Sequence, residues 1–157
     1  MHIGSILWPL FGASAIASID QAVKLVVLST QSQFTVIPGF FAIGLVSTTD
    51  VAFSLFRQFP RMLTVLGILF VAVMIGYFCQ RAVSVSRREY AGVALVVGGA
   101  TSNLIDRLRL GYVVDYLNMF AVGYHGPAFN LADSSIVVGI ACLALESIRG
   151  GGPRRPE

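Results

Sequence analysis

Four apolar stretches, at about 6–28, 62–78, 90–108 and 133–148, decide what this chain can fold into. Each comes close to the roughly 20 residues that a helix needs to cross a bilayer. Hydrocarbon offers the backbone no hydrogen-bond partner, so a spanning segment must satisfy itself as a helix or join a closed barrel. Continuous apolar runs of this length select the helix. Only 12% of residues are charged, 55% are hydrophobic and the mean hydropathy is +0.77, where a soluble domain carries about 25% charge. The expectation is an all-α membrane protein, one four-helix domain over 1–149, with a disordered tail at 150–157.

The amino terminus, Met-His-Ile-Gly, lacks a basic region, so the first apolar segment is expected to remain as a span. Arg81, Arg87 and Arg88 lie between the second and third segments, and Arg149, Arg154 and Arg155 follow the fourth. Basic residues favour the cytoplasmic side. Both termini are therefore expected inside, with Asp50, Asp106, Asp115 and Asp133 at or beyond the outer face. Trp8 suits the inner interface. The net charge of +3 and the scatter of the arginines argue against nucleic acid as a partner. Membrane lipids are the expected surroundings. The outer segment 29–61 contains Phe34-Thr-Val-Ile-Pro-Gly-Phe-Phe and Val51-Ala-Phe-Ser-Leu-Phe, β-branched and aromatic residues around a Pro-Gly turn. It predicts a small β-rich structure on the outer surface.

The chain has only eight acidic residues, and several sit against hydrocarbon. A carboxylate so placed is costly and usually has a task. Asp20 and Lys24 are one helical turn apart with the acid first, so they share a face and can pair. Ala13 and Ala17 continue that face and admit a neighbouring helix. This is either part of a site or an ion pair that locks helices, and the second reading fits better, with both residues supporting a site nearby. In Gly98-Gly-Ala-Thr-Ser-Asn-Leu-Ile-Asp-Arg107, Gly99, Asn103 and Asp106 fall on one stripe, and Arg107 follows Asn103 by one turn. That stripe reads as a site wall rather than a solvated pair.

Asp115 and Asp133 complete the set. Asp133 opens the fourth apolar run, where a helix dipole favours the ionised carboxylate, and Asn130 precedes it by three residues. Asp115, in Gly111-Tyr-Val-Val-Asp115, has a more apolar setting that favours the protonated acid. Two carboxyls biased apart can activate a water for hydrolysis. Taken without context, two such aspartates are more often helix caps or halves of ion pairs. Cys79 and Cys142 lie in apolar runs as free thiols, and neither metal-ligand spacing nor a cofactor motif appears. His2 and His125 offer no catalytic triad. The rival reading is a proton-coupled transporter using Asp20 and Lys24.

Taken in order, Asp20-Gln-x-x-Lys24, Gly98-Gly-Ala-x-x-Asn-x-x-Asp-Arg107, Gly111-x-Val-Val-Asp115 and Phe129-Asn-x-Ala-Asp133 resemble the motifs of bacterial lipoprotein signal peptidase, the type II signal peptidase. The resemblance spans nearly the whole chain. It implies an aspartyl endopeptidase of the bacterial inner membrane that cuts diacylglyceryl-modified prolipoproteins just before the lipidated cysteine. Asp115 and Asp133 then match the catalytic pair, Asn103, Arg107 and Asn130 the pocket, and Asp20 and Lys24 a supporting motif, with Asp106 beside them. No metal or other cofactor is implied, and globomycin-like peptides are the implied inhibitors. Three positions depart from the family pattern. Thr48 and Asp50 stand for an asparagine and a glycine in the first outer segment, and Ser102 for a glycine before Asn103. They bear on loop geometry, substrate preference and inhibitor affinity, and they leave open a non-catalytic relative that binds lipidated peptides.

Overall fold

The structure, a computed structural model, describes residues 3–45, 60–81, 86–121 and 124–150. Its elements are α1 (Ile3–Thr30), β1 (Gln33–Ile37), β2 (Phe41–Gly44), α2 (Pro60–Arg81), α3 (Arg87–Leu110), β3 (Leu117–Ala121), β4 (Tyr124–Phe129) and α4 (Leu131–Gly150). Each helix extends two or three residues past the apolar stretch that predicts it. The extensions are caps and polar ends. Ser86 accepts Glu89 N at 3.2 Å to start α3, and Gly111, at φ 82°, ends it by donating to Arg107 O at 3.1 Å.

Among the described residues, two helices are long and apolar enough to cross a membrane, over Trp8–Thr30 and Leu131–Arg149, and α2 has a shorter apolar stretch, Arg61–Tyr77. Side chains are distributed the reverse of a soluble protein. Val65, Leu69 and Val73 of α2 and Val137, Val138 and Ile148 of α4 face outward, while Asp20, Lys24, Ser102, Asn103, Asp106 and Asn130 are buried. Water would penalise that arrangement at every outward residue, and hydrocarbon would not.

Helix α3 is central and packs on α1, α2 and α4. Its glycines let the backbones touch. A Cβ on Gly98 would lie 2.7 Å from Ala13 O of α1, and one on Gly99 would strike Ala132 O of α4. Ala13 and Ala17 are buried at this contact, as their spacing predicts.

The fold is mostly helical with a small β structure, as expected, and that β structure is larger than the 29–61 segment alone. The four strands form one antiparallel sheet in the order β1-β2-β3-β4. The predicted β structure at 29–61 supplies β1 and β2, joined by the Pro38-Gly39 turn, with Phe40 N donating to Ile37 O at 3.0 Å and Gly39 at φ 73°. The other half comes from the segment between α3 and α4. Gly126 and Pro127 interrupt any strand pattern in β4. Proline is tolerated because β4 is an edge strand, and the register shift between Asn118 and Phe120 absorbs the irregularity. Thr48, Asp50, the Val51-Ala-Phe-Ser-Leu-Phe stretch, His2 and the tail at 151–157 lie outside the described residues, as do the side chains of Cys79 and His125. Cys142 is a free, half-buried thiol.

Candidate active site

Asp115 lies between α3 and β3, and Asp133 lies in the first turn of α4. The β3–β4 hairpin joins them. Leu117 pairs with Phe129 at its open end, so one strand leads out of the Asp115 segment and the other leads into Asn130 and Asp133. The two aspartates lie on different elements and share Asn130 as a hydrogen-bond partner.

Asn130 meets both. Its Nδ2 donates to Asp115 Oδ1 at 2.9 Å, and its backbone N–H donates to Asp133 Oδ2 at 3.3 Å. Its Oδ1 accepts Asp133 N at 2.8 Å, so Asn130 is also the N-cap of α4. The cap is reciprocal, with Asp133 in the place a glutamate takes in a capping box. Asn103 holds the other side of Asp133, donating from Nδ2 to Oδ1 at 2.7 Å. Its own Oδ1 accepts from Lys24 Nζ at 2.9 Å and from Asn130 Nδ2 at 3.2 Å. Neither amide can turn over without losing these bonds, so each presents an N–H to a carboxylate.

Burial pushes the Asp115 carboxyl from 3.8 up to about 7, and the Asp133 carboxylate adds to the rise. The Asn130 hydrogen bond and the more distant Lys24 charge oppose it. The apolar setting inferred for Asp115 from sequence is the same cause.

A second layer lies beneath the pair. Lys24 Nζ is 2.7 Å from Asp20 Oδ2 and 2.8 Å from Asp106 Oδ2, and with Asn103 it spends all three protons on acceptors. The predicted pair within α1 is thus a triad that ties α1 to α3. Asp106 also accepts Val114 N at 3.0 Å and Gln21 Nε2 at 2.7 Å, fixing the segment that carries Asp115. Asp20 receives Ser102 Oγ at 2.7 Å and, on its other oxygen, Tyr116 O–H at 2.9 Å and Ala132 N at 3.2 Å. Ser102, one of the three family departures, therefore fills its extra volume with a hydrogen bond. Among the described residues no buried side-chain nitrogen or oxygen lacks a partner. Arg107 is set apart from this layer. Its Nη1 lies 3.3 Å from Asn103 O, on its own helix.

Sequence reasoning singled out Asp20, Lys24, Asn103, Asp106, Arg107, Asn130, Asp115 and Asp133, and the fold gathers all of these but Arg107 into one hydrogen-bonded cluster. It missed Gln21 and Tyr116. Gln21 sits inside the Asp20–Lys24 motif and could have been noticed as a polar residue next to the pair. Tyr116 follows Asp115 directly, but a tyrosine in an apolar run ordinarily signals packing.

Comparison with known proteins agrees with this architecture. Residues 13–149 match the family described as Signal peptidase (SPase) II. The chain is 38% identical to the lipoprotein signal peptidase of Geobacter metallireducens over 138 residues, covering 83% of this chain and 84% of that protein. It is 37% identical to that of Geobacter sulfurreducens over 148 residues, covering 89% and 92%. Two solved structures of bacterial membrane enzymes share the fold. One superposes with a TM-score of 0.78 at 24% identity over 100% of this chain and 97% of the other. The second gives 0.66 at 26% identity over 95% and 96%. The chain belongs to the signal peptidase II family and is a membrane protease.

Proposed function

We propose that this protease removes the signal peptide of diacylglyceryl-modified prolipoproteins, cutting just before the lipidated cysteine with a water activated between Asp115 and Asp133. The observation that carries the mechanism is the bridging of both carboxylates by Asn130. A shared neighbour of this kind supports the reading that the two acids act on one water. Asp115, buried and pushed up to about 7, holds the proton of the pair near neutral pH. Asp133, facing two N–H donors, takes a proton from the water as it attacks the scissile carbonyl carbon. Asp115 then gives its proton to the developing oxyanion. As the C–N bond breaks, the proton taken by Asp133 passes to the leaving amine and a diol hydroxyl returns its proton to Asp115, which resets the pair. Asn103 and Asn130 orient the carboxylates, and Arg107 lines the approach. Asp20, Lys24 and Asp106 hold the bases of these helices together.

The same reading makes α1 to α4 four spans of one domain in the bacterial inner membrane, both termini cytoplasmic. The C-terminal ends of α1 and α3, the first turn of α4 and the sheet gather at one end of the bundle. Arg87, Arg88 and Arg149 mark the opposite end, which the positive-inside rule assigns to the cytoplasm. The acids then sit at the outer leaflet, where a signal helix and two acyl chains embedded in lipid would present the scissile bond. Globomycin-like peptides would compete for this crevice. A transporter would place its essential carboxylates deeper, and family membership sets that reading aside.

The test is gel-shift maturation of a diacylglyceryl-modified test prolipoprotein in membranes. Asp115→Asn and Asp133→Asn should each slow cleavage by about 10²–10⁴-fold, the usual worth of a general acid or base. A wild-type rate for Asp115→Asn sinks the mechanism. Intact wild-type protein that binds the substrate without cutting it would favour a non-catalytic relative.

A further inference from the structure

Four elements of the fold meet on Tyr116, the residue after Asp115. Its backbone N–H donates to Phe129 O at 3.1 Å, at the end of β4, and its carbonyl accepts Gly44 N at 2.9 Å, at the end of β2. Its phenol donates to Asp20 Oδ1 of α1 at 2.9 Å. The same oxygen accepts Leu131 N, the first N–H of α4, at 3.1 Å. The side chain is only 3% exposed, so water cannot substitute for any of these partners. Burial also holds the phenol well above its usual range, so it keeps the proton it donates.

The two sets of bonds do different things. The backbone bonds fix Tyr116 to the sheet, and Asp115 with it. The phenol bonds fix Tyr116 to the start of α4, and Asp133 with it. Asp20 completes the second attachment by accepting Ala132 N at 3.2 Å from the same oxygen that takes the phenol proton. The first N–H groups of α4 are thus capped by Tyr116, Asp20 and Asn130, two of them from elsewhere in the chain. Removal of one hydroxyl would leave the sheet intact and loosen its side-chain tie to the first turn of the helix.

We propose that Tyr116 is a positioning residue for the reaction, its hydroxyl holding the Asp115 segment at the spacing from the α4 terminus at which both carboxyls reach one water. This rests on the reading of Asp115 and Asp133 as the catalytic pair. Displacements of about 1 Å at such a pair can cost about 10²-fold in rate.

Two variants remove the same bond from opposite sides. Tyr116→Phe deletes the acceptor and keeps the ring. Leu131→Pro deletes the donor at the first position of a helix, where proline is tolerated. Each is assayed as purified full-length enzyme with a diacylglyceryl-modified test prolipoprotein, kcat and KM being determined separately on protein shown by thermal unfolding to be folded. The expected result is a kcat lowered by about tenfold or more with KM unchanged. Wild-type kcat in either folded variant, or a change confined to KM or to thermal stability, overturns the proposal. If one variant fails to fold, the other decides. Asp115→Asn and Asp133→Asn run alongside. Activity in those two would sink the catalytic reading itself, whereas their loss beside an unimpaired Tyr116→Phe would reject only the role of Tyr116.

Discussion

Asn130 reaches Asp115 through its side chain, at 2.9 Å, and Asp133 through its backbone, at 3.3 Å. One residue is therefore both a helix cap and the spacer between two acids. The two tasks can be separated by substitution. Asn130→Asp retains an oxygen able to cap α4 but replaces the amide donor with a third carboxylate. It is expected to keep most of the thermal stability and lose cleavage. Asn130→Ala should lose cleavage and about 0.5–2 kcal/mol of stability, the usual worth of a cap. Thermal unfolding beside a maturation assay checks both, and an active Asn130→Asp enzyme would contradict the spacer role.

The raised Asp115 carboxyl sets a pH dependence for activity. With its proton held up to about pH 7, cleavage should decline as pH rises through that value and the pair loses its acid. A profile of kcat/KM between about pH 5 and 9, from initial rates at substrate well below KM, measures this. A rate still climbing above about pH 8 would show that Asp115 is not the proton donor.

The same group affects stability with a definite sign. The folded protein keeps the Asp115 proton up to about 7, while the unfolded chain releases it near 3.8. Between those values the folded state binds more protons, so stability falls as pH rises, and it levels off above about 7. Asp115→Asn removes this dependence. The variant should gain stability relative to wild type, and gain more at pH 8 than at pH 4. Melting temperatures of both proteins at the two pH values test it.

Lys24 is buried against two carboxylates and an amide oxygen. Lys24→Met leaves Asp20 and Asp106 facing each other without a cation, and breaking a buried pair in this way costs about 3–5 kcal/mol. The double variant Lys24→Met with Asp106→Asn should recover part of that loss, because one of the two orphaned charges is gone. Unfolding in detergent compares the single and double variants. A single variant as stable as wild type would argue that the triad contributes little.

The close approach of α3 to α1 predicts its own lesion. Any side chain at Gly98 meets the backbone of Ala13, which cannot move aside as a flexible side chain could. Gly98→Val should cost about 1–3 kcal/mol or more. The cluster that includes Lys24 and Asp106 bridges the same two helices, so cleavage should fall with stability. Gly39→Ala is a contrast: nothing lies within 4 Å of its Cβ position, and its cost comes from the positive φ alone.

Charge in an apolar chain was the legible part of this molecule. Asp20, Lys24, Asp106, Asp115 and Asp133 are conspicuous because hydrocarbon makes each of them expensive, and helical spacing alone pairs the first two. Spacing within one helix does not report a partner on another, so the inclusion of Asp106 in the Lys24 triad had no sequence signal. Strand β1 and its turn were readable from Pro38-Gly39 and the residues around it. Strands β3 and β4 were not, because a glycine, a proline and a register shift break the alternation that marks a strand. Tyr116 was hidden for a different reason. Its function lies in one oxygen, while its ring fits the apolar run unremarked.

The pairing of Leu117 with Phe129 makes the β3–β4 hairpin a clasp whose two arms end at the two acids. A lesion at the hairpin's far end, such as a side chain at Gly126 pressing on Met119 O, would travel down both arms. Damage to hydrolysis could therefore arise at a site that never meets the peptide being cut.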